Sequence, residues 1–200
     1  MLFLESTSKS RRTRTKDFRP MSLLLATLIP GLILLLLGVP LLLNHSGFIA
    51  ILKAMPRSKR ATYFFFGLGA AGFLYNIWHL SPADFGDYRK ILFAAFAAIA
   101  VLAFKYVPDF LAVRGLCIVV LVGAFPLLYS DAYMNFEHGQ VVLFKIVVYL
   151  AIALAIWLGA QPWRLRDFLA WLFQRPGRAR AFGGALAAYG LLLTGVAFTY

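Results

Sequence analysis

The sequence predicts an all-α protein: a polytopic bundle of about six transmembrane helices with two short interfacial amphipathic helices. Three observations predict it. Of 200 residues, 62% are hydrophobic and 14% charged, with a mean hydropathy of +0.78; a soluble domain of this size could not cover its surface with so few polar side chains. The apolar residues form continuous blocks near the ~20 residues that a helix needs to cross a hydrocarbon core about 30 Å thick, not the alternating stretches of about ten residues found in barrel strands. Lys and Arg fall mainly between these blocks, where topology signals and headgroup contacts place them. The formal charge of +12 is therefore read as a membrane-surface feature, and no nucleic-acid partner is expected.

Residues 1–20 form a basic tail ending at Pro20, and their mutually repelling Lys and Arg side chains predict disorder. Residues 21–200 are read as one transmembrane domain. The first span covers about 21–43, interrupted by Pro30-Gly31 and by Gly38-Val39-Pro40. A stretch at 47–57 turns from apolar to basic and reads as an interfacial helix. The second span, about 61–80, is rich in aromatics, with Tyr63, Phe64, Phe65 and Phe66 in sequence. Spans three to five are expected at about 91–107, 111–129 and 141–160. At 163–175, Leu165, Phe168, Leu169 and Leu172 make an apolar stripe beside Arg164, Arg166 and Asp167, the pattern of a second interfacial helix. A sixth span is expected at about 182–199.

Positive charge sets the orientation. Lys53, Arg57, Lys59, Arg60, Lys105, Arg114, Arg164, Arg166, Arg175, Arg178 and Arg180 follow the odd-numbered spans, against Arg89 and Lys90 after the even-numbered ones. The first set is expected in the cytoplasm, giving a bacterial inner (plasma) membrane protein with both termini outside. The basic tail conflicts with that assignment. A first block that re-enters as a hairpin at Pro30-Gly31 would resolve the conflict, as would a tail that is not native to the mature chain.

An ionisable group near the bilayer midplane is a functional-site hypothesis by default, and no expected span carries a charge there. Lys105, Arg114 and Lys145 lie close enough to span ends to snorkel, with a substrate or proton role as the alternative for Lys145. Tyr149 and Tyr189 supply the most central hydroxyls, each able to pack as a hydrophobe and donate one hydrogen bond. The sharpest ligand hypothesis lies on the expected outer face, where His79, Asp84 and Asp87 follow span two and Glu137 and His138 follow span four. Imidazole with carboxylate suits zinc or iron, and two histidines could ligate a haem. The spacing matches no metal or haem motif, however, and helix capping explains Ser81 and Asp84 equally well. No cofactor is predicted. Cys117, the single cysteine, reads as a small buried hydrophobe. No nucleophile motif accompanies a base, so nothing argues for an enzyme.

Gly67, Gly69 and Gly72 in the second span, and Gly183 and Gly184 with Ala187 and Ala188 in the sixth, predict smooth faces for close helix packing. Gly and Pro recur near corresponding ends of spans one and four, at Pro40 and Pro126, a short pointer to an inverted repeat of transporter type. The leading expectation is a non-catalytic accessory, structural or assembly component, partnered by anionic lipid headgroups and by other membrane proteins or its own copies. A small transporter or channel for a neutral or lipid-like substrate is the alternative. A metal- or haem-binding redox protein using His79 and His138 is a second alternative.

Overall fold

The computed structural model describes residues 21–130 and 139–200, and every regular element among them is helical. In order these are α1 (Leu23–Leu42), α2 (Ser46–Ala54), a 3-10 turn (Met55–Arg57), α3 (Lys59–Trp78) and α4 (Arg89–Tyr106), with two further 3-10 turns between α3 and α4. They continue as α5 (Leu111–Leu128), α6 (Val141–Ala160), α7 (Trp163–Leu172) and α8 (Pro176–Ala197). Four helices, α1, α5, α6 and α8, are long and apolar enough to cross a membrane. The 20-residue α3 and 18-residue α4 reach the length but fall outside that set. Tyr63, Tyr75, Asn76 and Trp78 lower the hydropathy of α3, and α4 carries Arg89, Lys90 and Lys105 at its ends.

The expected interruption of the first block is corrected. Helix α1 runs unbroken through both Pro30 and Pro40, so residues 21–43 are not a re-entrant hairpin. Neighbouring helices make proline tolerable in such a setting by covering the freed backbone groups. Ser22 caps its start by accepting from the Leu25 N–H. Its end closes at Asn44, whose φ of 52° is left-handed. The Asn44 N–H donates to Leu41 O at 3.0 Å and the His45 N–H to Pro40 O at 2.9 Å, the paired closure of a Schellman motif. His45 then caps α2, its Nδ1 accepting from the Phe48 N–H at 3.2 Å. A second boundary also moves. The last helix begins at Pro176, not near 182, because proline at the first helical position gives up an N–H that would be unpaired anyway.

Glycine contacts fix how the helices run. Gly38 abuts Gly183 and Ala187, and Gly31 abuts Gly190 and Thr194. Positions rising along α1 meet positions falling along α8, so the pair is antiparallel. A Cβ at Gly38 would lie 2.5 Å from Ala187 N, and one at Gly183 2.5 Å from Leu42 N; backbone here touches backbone. Helices α3 and α5 instead run parallel. Gly115 presses on the Phe66 backbone, Gly69 meets Ile118, and Gly72 meets Val122.

Helix α4 is held differently. Rings from α3 meet rings from α4 in falling register: Tyr63 stacks on Phe104 at 5.3 Å, Phe73 meets Phe96 edge-on at 5.2 Å, and Trp78 meets Phe93 at 5.5 Å. The pair is antiparallel along most of its length. None of the residues of α4 is buried.

The core centres on Leu23 and Ala26 of α1, Ala124 of α5, Val141, Phe144 and Val148 of α6, and Leu193 of α8. It joins the start of α1 to the end of α5, the start of α6 and the end of α8, which together define one end of the bundle. At the opposite end α2 packs against α7, beside the N-terminus of α5.

Candidate functional site

The sequence candidates occupy separate places. His79 is the C-cap of α3; its N–H donates to the Tyr75 and Asn76 carbonyls, its Nδ1 lies 2.8 Å from Tyr75 O, and its ring leans on the Tyr75 ring at 4.2 Å. Asp84 accepts a 2.7 Å hydrogen bond from Ser81 Oγ, and Asp87 lies in the following 3-10 turn. Glu137 and His138 fall outside the described residues. Among the described residues, no three His, Cys, Asp or Glu side chains gather where they could hold a metal. Pro40 sits in the last turn of α1 and Pro126 in the last turn of α5, on different helix pairs. Tyr149 is exposed on α6. Tyr189 O–H donates to Leu143 O at 3.2 Å, tying α8 to the first turn of α6. Lys145 lies on α6 near that same end.

The basic end is organised by aromatic rings. Arg57 and Arg166 both sit over the Phe110 ring, at 5.8 and 5.9 Å from its centroid, and Arg166 also pairs with Asp167 at 2.8 Å. Lys53 lies over Phe173, Arg164 over Trp157 and Arg178 over Trp171. Cations placed on ring faces keep their charge while their stems cover apolar surface. Phe110 itself holds a left-handed φ of 55° just ahead of α5, a costly conformation for a bulky side chain. Its carbonyl accepts the backbone N–H bonds of Val113 and Arg114, which starts the helix and sets where Arg114 sits.

From there a cavity of about 370 Å³ opens between α3, α4 and α5. Its walls are apolar, including Phe66 and Phe73 from α3, Phe96 and Ala100 from α4, and Ile118 from α5. Arg114 is the one charged residue in the lining. Its Nε is buried and has no hydrogen-bond partner. Arg114, near the start of α5, contributes to the wall of this cavity. The stripe Leu111, Arg114 and Ile118 on one face of α5 was visible in the sequence; the gap beside it was not. The gap exists because α4 leans on α3 through rings and stands off from α5, where alanines at positions 100 and 103 face the space.

The chain matches no protein-family model, no curated protein and no solved structure. Its chemistry is therefore read from this geometry.

Proposed function

We propose that the chain is a six-span, non-catalytic membrane protein that works as an accessory or assembly component, packing against other membrane proteins within a bilayer carrying anionic headgroups. One observation carries the reading. The fully buried polar side chains among the described residues are Thr27 and Ser130, and Ser130 spends its hydroxyl on Leu127 O at 2.8 Å. Catalysis needs a positioned acid, base or nucleophile, and charged substrates need a polar path. Neither is assembled in the described interior.

The six-span topology rests on registration. Helix α5 is long and apolar enough to cross, and α3 lies parallel against it from Phe66 to Gly72, so α3 crosses where α5 does. The antiparallel rings then carry α4 back. At 1.5 Å per residue α3 and α4 extend about 30 and 27 Å, matching the hydrocarbon thickness. Helices α2 and α7 lie at the basic end as interfacial elements, on the cytoplasmic side by the positive-inside rule. The transporter alternative is weaker on packing grounds. An inverted repeat that pairs α1 with α5 and α8 with α4 would give the tight α1–α8 contact a counterpart between α5 and α4, where the cavity stands instead.

Two measurements test this. In a Cys117→Ala background, single cysteines at Ser58, Ser81 and Gln161 are labelled with an impermeant maleimide from each side of intact vesicles. Labelling of position 81 from the side opposite to 58 and 161 is expected; labelling of 58 and 81 from the same side would leave α3 and α4 outside the bilayer. Gentle extraction at native expression, followed by mass spectrometry, is expected to find defined membrane partners in stable stoichiometry. Recovery as a bare monomer of unchanged stability would overturn the accessory role.

A further inference from the structure

The geometry points to a discrete binding site for an anionic amphiphile in the α3–α4–α5 cavity, with one acyl chain between the helices and the anionic head on Arg114. The inference rests on α3, α4 and α5 crossing the bilayer, which the cysteine labelling tests separately.

Three features converge on it. The cavity is apolar along its length, from Val107 and Leu111 near the basic end to the edge-on pair Phe73–Phe96 deeper in. From Phe96 on α4 to the helix end at Tyr106 the backbone rises about 15 Å, room for much of one extended chain. The volume of about 370 Å³ lies toward the small end of ligand pockets. Phe73, Phe96 and Ile99 of its lining are exposed on the outside of the bundle, so a chain could enter sideways from the surrounding lipid.

The second feature is charge. Arg114 begins about one turn into α5, the depth at which a headgroup meets the hydrocarbon. A guanidinium nitrogen buried without a partner is costly, and phosphate or carboxylate oxygen is the acceptor its planar fork fits best. Arg57 and Arg166, gathered on Phe110 one turn away, add positive potential at that end.

The third is the division of energy. Moving an acyl chain from lipid into an apolar cavity gains almost nothing, because lipid is already apolar. Selection must therefore come from the headgroup, and Arg114 is the residue in the lining able to supply it. The site should discriminate by charge and tolerate differences in chain.

The test uses the full-length protein in detergent micelles, incubated with phosphatidylglycerol, with phosphatidylcholine of the same chains, or with oleate, and read by native mass spectrometry. Wild type is expected to retain one phosphatidylglycerol in preference to phosphatidylcholine. Arg114→Gln should reduce that retention roughly tenfold or more, the scale of a charge-assisted hydrogen bond; Arg114→Lys should recover part of it. Ala100→Phe, which keeps the arginine and fills the cavity, should also lower retention. Preference for oleate over phosphatidylglycerol identifies the anion as a carboxylate; the reverse identifies a phosphodiester headgroup. Equal retention by wild type and both the Gln and Phe variants would overturn the site, as would equal retention of the anionic and zwitterionic lipids. Should Arg114→Gln fail to fold, Ala100→Phe and the charge preference of the wild type decide. A protein that lacks membrane partners yet keeps one phosphatidylglycerol refutes the accessory role and leaves this site standing.

Discussion

Replacing Gly38 by alanine should destabilise the protein, although alanine is the better helix former. A Cβ there would fall 2.5 Å from Ala187 N, 2.8 Å from Gly183 O and 3.0 Å from Ala187 Cα. Ordinary contact needs 3.4–4 Å, and backbone atoms cannot rotate away as a flexible side chain would. Helices α1 and α8 must therefore separate by about 1 Å. A gap of that size forfeits up to about half of each dispersion contact it opens, and overpacking of this kind costs about 1–3 kcal/mol. Helix propensity returns at most about 1 kcal/mol, leaving a net loss of up to about 2 kcal/mol and a loss of about 1–3 kcal/mol relative to an unhindered glycine-to-alanine change.

The molecule contains its own controls. Gly123 in α5 and Gly195 in α8 have nothing within 4 Å of the Cβ they would gain. Alanine at either should be neutral or stabilising by up to about 1 kcal/mol. Unfolding titrations in mixed micelles, followed by tryptophan fluorescence, compare the variants directly. Gly38→Ala and Gly183→Ala should also be less than additive, because the two residues face each other across the same contact and the first substitution already parts the helices. If Gly38→Ala unfolds at the same denaturant fraction as Gly123→Ala and Gly195→Ala, the close α1–α8 approach is wrong.

Smaller effects follow from single polar groups. Tyr189→Phe removes the bond to Leu143 O and should cost about 0.6 kcal/mol, the scale of interhelical bonds in membranes, measured in the same titration; a loss several times larger would mean that the hydroxyl serves more than packing. Thr27 is fully buried and its Oγ1 lacks a partner, so Thr27→Val should be neutral or stabilising by up to about 1 kcal/mol; marked destabilisation would reveal a bond to that hydroxyl. Ser58→Ala removes the acceptor for the Ala61 N–H at the start of α3 and should cost about 0.5–2 kcal/mol, visible as a lowered unfolding midpoint. Chelator treatment of the purified protein should leave that midpoint unchanged and its visible spectrum blank; a lowered midpoint or a Soret band would return His79 and His138 to consideration.

What was legible in the sequence was whatever depends on one helix at a time. The bounds of α6 are 141–160 in both readings, because Gln140 and Gln161-Pro162 punctuate an apolar run whose one charge is Lys145. The start of the last helix differs, because the apolar run that marks a span near 182 begins later than the helix itself, whose first residue is Pro176. Glycine content announced close packing on the second and last spans, but smoothness carries no address, and the partners Gly115 and Gly38 came from the structure alone. Arg114 shows the limit most clearly. The sequence places it near the start of a span, and that position alone implies snorkelling. Its surroundings depend on how far α4 stands from α5, which is set by rings on α3 meeting rings on α4. The result is an uneven bundle. Helices α1 and α8, and α3 and α5, are locked through backbone contact, while α4 is attached by side chains and buries none of its own residues. Backbone contacts between glycines allow little play without a clash; ring contacts can slide or tilt at small cost. Whatever occupies the space beside Arg114 therefore acts on the helix least constrained by the rest of the fold.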